Sequence, residues 1–252
     1  MDNLMQRIKK AQNGDANEMY NVALYSVWSD RSAPIEPELL ERALYYYHTV
    51  AQKGDCDAML DLGGMYACGR GVAMDRDKAL EWYMKAVELN YPKAFRCVGN
   101  FYFYSRDAEG LLKTKDTALI EKAYQYYAKG AELGEQNCLY ELGDMYLEGI
   151  CVGRDVDKAF DLYSQCCDVI GGETRDDSYA DVCMRLGKCY HYGFGVPVDL
   201  KIAHKYLTIA KYECEKRISD GDAFGGLSLQ EATEEWHAVN KKIDAQQDDS
   251  GV

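Results

Sequence analysis

The stretch LGGMYACGRGVAMDRDKALEWYMKAVELN, residues 62–90, decides the fold because it recurs twice without a gap. The second copy is LGDMYLEGICVGRDVDKAFDLYSQCCDVI at 142–170, and the third is LGKCYHYGFGVPVDLKIAHKYLTIAKYEC at 186–214. Two further copies are degenerate. One consists of ANEMYNVAL at 16–24 and RALYYYHTVAQKG at 42–54, and the other of VGNFY at 98–102 and KAYQYYAKGAELG at 122–134. Five copies at a period of 36–44 residues predict a stacked repeat array.

Each repeat is predicted to form two helices. In the first half, apolar residues recur at i, i+4 and i+8, which is one face of an α-helix. Members of this stripe are Ala58, Leu62 and Tyr66, with Ala94, Val98 and Tyr102, Cys138, Leu142 and Tyr146, and Val182, Leu186 and Tyr190. The second half carries a similar stripe through Ala79, Tyr83 and Ala86. We therefore expect most tyrosines to pack in a core rather than to form a stacking platform.

The connection between the two helices is predicted to be a tight turn. Gly69 and Gly71 tolerate the positive φ that such a turn requires, and their G-x-G pattern lacks the strand and third glycine of a dinucleotide site. Asp75, Asp155 and Asp199 each precede the second helix of a repeat, where a carboxylate caps exposed amides. We interpret these aspartates as helix caps and not as catalytic acids.

The repeat boundaries divide the chain into an array and a terminal cap. The array is expected over residues 1–214. Its five repeats are expected at 16–54, 57–90, 93–134, 137–172 and 180–214. A loop is predicted at 215–228, followed by a capping helix at 229–245 that starts at the Ser228 capping box and a disordered tail at 246–252. Open arrays need such a cap to cover the last repeat.

Composition excludes several classes of partner. The formal net charge is −13 and the pI is about 4.8, so the surface repels the phosphates of nucleic acids and anionic lipid. The N-terminal sequence lacks the apolar core of a secretory signal, and no stretch is apolar enough for a membrane helix. We therefore expect a cytoplasmic chain whose partner is neither a nucleic acid nor a membrane.

The repeat pattern LG-x2-Y-x2-G-x-GV-x2-D-x3-A-x2-WY-x-KA at residues 62–86 resembles the Sel-1-like repeats, a tetratricopeptide-like family. The resemblance covers residues 16 to about 214. It implies an all-α, right-handed α/α superhelix of about five helix-turn-helix repeats plus the capping helix. It also implies a non-enzymatic scaffold or adaptor that binds a partner protein or peptide in a concave groove.

A cysteine-rich branch of the same family suggests the alternative function. That branch is secreted, carries one disulfide in each repeat, and has been linked to penicillin binding and β-lactamase activity. Of the ten cysteines, only Cys167 and Cys183 fall at its paired positions, so the resemblance favours the branch without disulfides. A hydrolase or penicillin-binding protein is therefore the alternative to the adaptor.

No catalytic or cofactor-binding motif supports an enzyme. The chain has no S-x-x-K, G-x-S-x-G, H-E-x-x-H, phosphate-binding loop or EF-hand loop, and its cysteines and histidines lack zinc-site spacing. We expect no enzymatic activity, cofactor or metal.

The candidate partner-binding residues lie on the first helix of each repeat, opposite the apolar stripe. In tetratricopeptide-like arrays these first helices line the groove. The candidates are Asp61, Asn100, Glu141, Asp144, Arg185 and Lys188. We expect the acids to meet basic groups of a partner and the two cations to meet acidic groups, although solvated surface charges would look the same. The longer segments 103–118 and 170–179 are further candidates, and self-association through the array ends is a third function.

Overall fold

The computed structural model describes residues 2–29, 34–104, 116–170, 178–219 and 225–249. Every regular element in these ranges is an α-helix. They are α1 Asp2–Gln12, α2 Ala16–Trp28, α3 Pro37–Ala51, α4 Cys56–Cys68, α5 Arg76–Glu88, α6 Pro92–Phe103, α7 Thr117–Glu132, α8 Asn137–Glu148, α9 Val156–Ile170, α10 Tyr179–Tyr192, α11 Leu200–Ser219 and α12 Gly225–Asp249. The predicted all-α class is confirmed.

Along the chain, the helices from α2 to α11 correspond in order to the first and second halves of the five repeats. The chain divides into two compact parts, Met1–Thr114 and Lys115–Val252, and each is described by itself. In the N-terminal part α2 packs on α3, α3 on α4, α4 on α5 and α5 on α6. In the C-terminal part each helix from α7 to α12 likewise packs on the next.

Each part has its own hydrophobic core built from the predicted stripes. Leu62 and Ala58 are fully buried in the N-terminal part, and Val182 and Leu186 are buried in the C-terminal part. Gly63 lies against the ring of Tyr83 so closely that a Cβ at position 63 would overlap it. This close approach explains why a glycine stands inside the helix, although glycine there is about 1 kcal/mol less favourable than alanine.

The predicted turns and caps are confirmed. α4 ends at Gly69, whose φ of 71° lies in the left-handed region that favours glycine. The Asp75 carboxylate accepts a hydrogen bond from the Lys78 amide at 3.0 Å. The carboxylate of Asp155 accepts one from the Lys158 amide at 2.9 Å, and Asp199 caps α11 in the same way.

The C-terminal helices are longer than the sequence predicts. α11 continues to Ser219 and α12 already begins at Gly225, so the predicted loop at 215–228 is helical at both of its ends. Ser228 is therefore not the N-cap of α12. Its hydroxyl instead donates a hydrogen bond to Asp181 of α10 at 3.3 Å. α12 also continues to Asp249, into the segment predicted to be disordered.

Helix α1 precedes the first repeat, and the repeat pattern did not predict it. α1 packs on α2 through the fully buried Ala11, while Arg7 donates to Glu18 at 2.9 Å. Most of the segment 103–118, and most of 170–179, lie outside the described residues. Within the described ranges no helix is long and apolar enough to cross a membrane.

Candidate functional site

An ion pair between α8 and α10 joins two of the candidate partner-binding residues. Arg185 donates from Nε to Asp144 Oδ1 at 2.7 Å and from Nη2 to Asp144 Oδ2. Tyr163 on α9 donates its hydroxyl to the same carboxylate at 2.7 Å. Burial alone would lower the pKa of Arg185, but the hydrogen bonds and charge of Asp144 outweigh it and raise that pKa. Asp144 and Arg185 thus connect the fourth and fifth repeats.

A second set of polar contacts joins α10 to α12. Lys188 forms an ion pair with Glu231, and Nδ1 of the buried His191 lies 3.1 Å from Glu235 Oε2. The Tyr192 hydroxyl donates to Glu235 at 3.1 Å. α12 thus contacts α10, the first helix of the fifth repeat, much as α10 contacts α8, the first helix of the fourth.

A cavity of about 430 Å³ opens among α8, α10 and α12. Its lining combines both ion pairs with apolar and aromatic side chains. These lining residues are Asp144, Leu147, Glu148, Met184, Arg185, Lys188, Tyr192, Phe194, Glu231 and Glu235. Three of the six candidate residues thus meet at one cavity, and Tyr192 remains 47% exposed there.

Asn100 lines a different cavity, of about 280 Å³, in the N-terminal part. This cavity also includes Cys97, Tyr83 and Phe101, and the guanidinium of Arg76 lies 4.7 Å from the centre of the Phe101 ring. Three of its seven described lining residues are aromatic, and Arg76 is the charged one.

Glu141 and Asp61 are less exposed than the groove-lining positions that the sequence predicts for them. The expectation of an open surface position is wrong for Glu141, which is only 8% exposed. Asp61 is partly buried beside the hydroxyls of Tyr20 and Tyr47, and burial raises its pKa to about 6. A carboxylate that loses water needs compensating partners, so these two positions are not ordinary surface charges.

Cys167 and Cys183 are brought together as thiols. The interaction between the two neighbouring thiols lowers the pKa of Cys167 and raises that of the more deeply buried Cys183. These are the two residues at the paired positions of the cysteine-rich branch, and both are free thiols in this structure. Within the described ranges, no three cysteine, histidine or carboxylate side chains converge on a metal position.

The sequence analysis missed the contribution of α12 to the cavity. Glu231 and Glu235 lie one helical turn apart on the same face of α12, so their i, i+4 spacing was a visible signal. It predicts that they share a face, but it does not reveal that α10 lies opposite that face.

Comparison with known proteins agrees with the repeat geometry. The Sel1 repeat model matches five segments: 19–55, 56–91, 99–135, 136–168 and 180–212. The chain belongs to the Sel1 repeat family. Each match covers one of the five helix pairs in whole or in large part, and α1 and α12 lie outside all five matches.

Solved Sel1 repeat structures resemble nearly the whole chain. A Sel1 repeat protein from Oxalobacter formigenes aligns with a TM-score of 0.63 at 26% identity, covering 90% of this chain and 58% of its own. The Escherichia coli protein c5321, described as a protective antigen with an SLR fold, gives 0.62 at 23% identity, covering 95% and 48%. The second similarity concerns the fold alone.

Curated relatives share shorter stretches. Activator of C kinase protein 1 of Saccharomyces cerevisiae is 39% identical over 82 residues, which are 31% of this chain and 13% of the relative. The Arabidopsis thaliana protein HRD3A, an ERAD-associated E3 ubiquitin-protein ligase component, is 42% identical over 53 residues, or 21% and 8%. The alignments therefore span only a small share of each of these relatives.

Proposed function

We propose that this Sel1 repeat protein is a non-enzymatic adaptor and that the cavity among α8, α10 and α12 holds a segment of a partner protein. The observation that carries the proposal is the lining of this cavity, where a partly exposed aromatic and apolar surface lies beside charged groups. Protein interfaces favour such surfaces, with buried aromatic or apolar anchors inside a polar rim.

The charged residues have a different role from the one that the sequence suggests. Asp144, Arg185 and Lys188 already form ion pairs within the chain. A partner that bound these charges directly would have to break the existing pairs, and this cost would reduce the net binding free energy. We infer that they form the polar rim and hold α8, α10 and α12 in place. Leu147, Tyr192 and Phe194 then supply the contact surface.

The names of the relatives support an adaptor rather than a catalyst. HRD3A is named as a component of a ubiquitin-protein ligase, and Activator of C kinase protein 1 as an activator. Both names describe proteins that act with others, and a stretch of this chain is similar in sequence to each.

The proposal is tested by photo-crosslinking with the full chain. Tyr192 at the cavity is replaced by p-benzoylphenylalanine, and the control places the same residue at Tyr212 on α11, which is 62% exposed and outside the cavity lining. After irradiation in a lysate of the source cells, we expect a protein crosslinked from position 192 and not from position 212. Leu147→Arg should abolish that crosslink.

Two results would overturn this assignment. Equal crosslinking from positions 192 and 212 would mean that the cavity has no special role. A second copy of the chain as the crosslinked species would mean that the surface mediates self-association instead.

A further inference from the structure

The cavity of about 280 Å³ in the N-terminal part and the cavity among α8, α10 and α12 occupy equivalent places in the repeats. The repeats align through their interior glycines, which are Gly63, Gly99, Gly143 and Gly187. In this alignment four lining residues of one cavity correspond to four of the other. They are Ala67 with Leu147, Cys97 with Arg185, Asn100 with Lys188, and Tyr104 with Tyr192. Each cavity therefore involves the first helices of two consecutive repeats.

One tyrosine has the same position beside both cavities, but it has a hydrogen-bond partner at only one of them. Tyr163 on α9 donates its hydroxyl to Asp144 at 2.7 Å. Its equivalent is Tyr83 on α5, and the two rings pack alike. A Cβ added at Gly63 would overlap Cε1 of Tyr83, and a Cβ added at Gly143 would overlap the same atom of its own tyrosine. Tyr83 is only 8% exposed, yet within the described residues its hydroxyl forms no hydrogen bond.

Two differences between the repeats account for the missing partner. Gly64 stands in the second repeat where the fourth has Asp144, so no carboxylate is present for the Tyr83 hydroxyl. Cys97 stands in the third repeat where the fifth has Arg185. Both side chains are smaller than their counterparts, and they leave open space beside a buried hydroxyl. Burying such a donor without an acceptor is unfavourable.

A cation lines the same cavity. Arg76 lies two helical turns before Tyr83 on the same face of α5. Its guanidinium lies 4.7 Å from the centre of the Phe101 ring, and its Nη2 donates to the backbone oxygen of Phe101 at 3.3 Å. Within the described part of the chain Arg76 forms no ion pair. A guanidinium has five N–H donors, so most of them remain available after this one bond.

We propose that Arg76 and Tyr83 form a receptor for the carboxylate side chain of an aspartate or glutamate of the partner protein. The phenol and the guanidinium would donate to its oxygens, as Tyr163 and Arg185 donate to Asp144. Charge complementarity selects this occupant, because Arg76 is the charged residue of the described lining and guanidinium groups bind carboxylates strongly. The inference rests on the proposed adaptor function and adds a second contact, in the N-terminal part.

The experiment uses three tripeptides as probes, acetyl-Gly-Glu-Gly-amide and its aspartate and glutamine counterparts. Nuclear magnetic resonance of the full chain follows the ring of Tyr83 and the Nε–H of Arg76 at neutral pH. We expect saturable shifts with the glutamate and aspartate probes and none with glutamine. Arg76→Gln should reduce the affinity for the acidic probes about tenfold, as loss of a charge-assisted hydrogen bond does. Tyr83→Phe removes only the hydroxyl and should reduce this affinity about threefold or more. Lys53→Gln removes an exposed cation outside the lining and should leave it unchanged.

Variants at Gly64 test whether the missing carboxylate defines the receptor. A Cβ at this position would meet the ring of Trp28 at 3.8 Å, which is an ordinary contact, so a side chain fits there. Gly64→Asp should supply the carboxylate from within the chain and abolish binding of the glutamate probe. Gly64→Ala adds the Cβ alone and should retain binding.

Three results would overturn the inference. They are equal binding of the glutamate probe by Gly64→Asp and Gly64→Ala, an unchanged affinity in Tyr83→Phe, and equal shifts with the glutamine probe. The crosslink at position 192 concerns the other cavity and would be unaffected by any of them, so the two proposals fail separately.

Discussion

Asp61 is an acidic residue whose environment differs from that of an ordinary surface charge. Burial raises its pKa from 3.8 to about 6, so the folded protein binds a proton there that the unfolded chain has released. Ionised Asp61 therefore costs folding free energy, and the cost develops as the pH rises from about 4 to 6 and is complete above 6. A group with this cost in a native protein is a candidate for a functional role.

Asp61→Asn should consequently stabilise the protein at neutral pH. The gain in the free energy of unfolding should be near zero at pH 4 and reach about 1–2 kcal/mol at pH 8, after allowance for partial exposure. Urea denaturation of wild type and variant at several pH values measures the difference. Asp77→Asn, at an exposed position, should give no such trend, and a gain that is the same at pH 4 and pH 8 would contradict this explanation.

Among the helices, α12 illustrates two kinds of contact. Its buried apolar side chains should supply most of the free energy that docks it, whereas its ion pairs fix its orientation. Val239 of α12 is fully buried, whereas the Glu231 side chain is 50% exposed. Val239→Ala should lower the free energy of unfolding by about 2 kcal/mol, and Glu231→Gln by less than about 0.5 kcal/mol. Thermal or urea denaturation compares the two, and a larger loss from Glu231→Gln than from Val239→Ala would mean that the ion pair, and not apolar packing, supplies most of the free energy that docks α12.

The same element shows what sequence could and could not predict. The stripe of α12, its capping role and the aspartate caps of the repeats were predictable because each depends on residues within one or two turns. The contacts of the candidate site were not. Arg185 meets Asp144 across 41 residues, and His191 meets Glu235 across 44. Such pairs depend on which helices become neighbours, and no local spacing reveals that.

The start of α12 was predicted wrongly because Ser228 has a tertiary partner, Asp181, that competes with capping.

At the scale of the whole molecule, a repeat array is expected to have a stability that is approximately a sum of local terms, because each repeat in such an array packs mainly on its neighbours. Leu62 and Leu186 test this because they occupy equivalent positions, and both are buried, in the core of the N-terminal and of the C-terminal part respectively. Leu62→Ala and Leu186→Ala should each cost about 3 kcal/mol. Hydrogen exchange should then rise in α2–α5 for the first variant and in α9–α12 for the second. The Tyr192 crosslink, which depends on α8, α10 and α12, should be weakened by Leu186→Ala and not by Leu62→Ala. If either substitution raises exchange equally in all helices, the chain unfolds as one cooperative unit, and effects at Asp61 could then reach the cavity among α8, α10 and α12 through global stability alone.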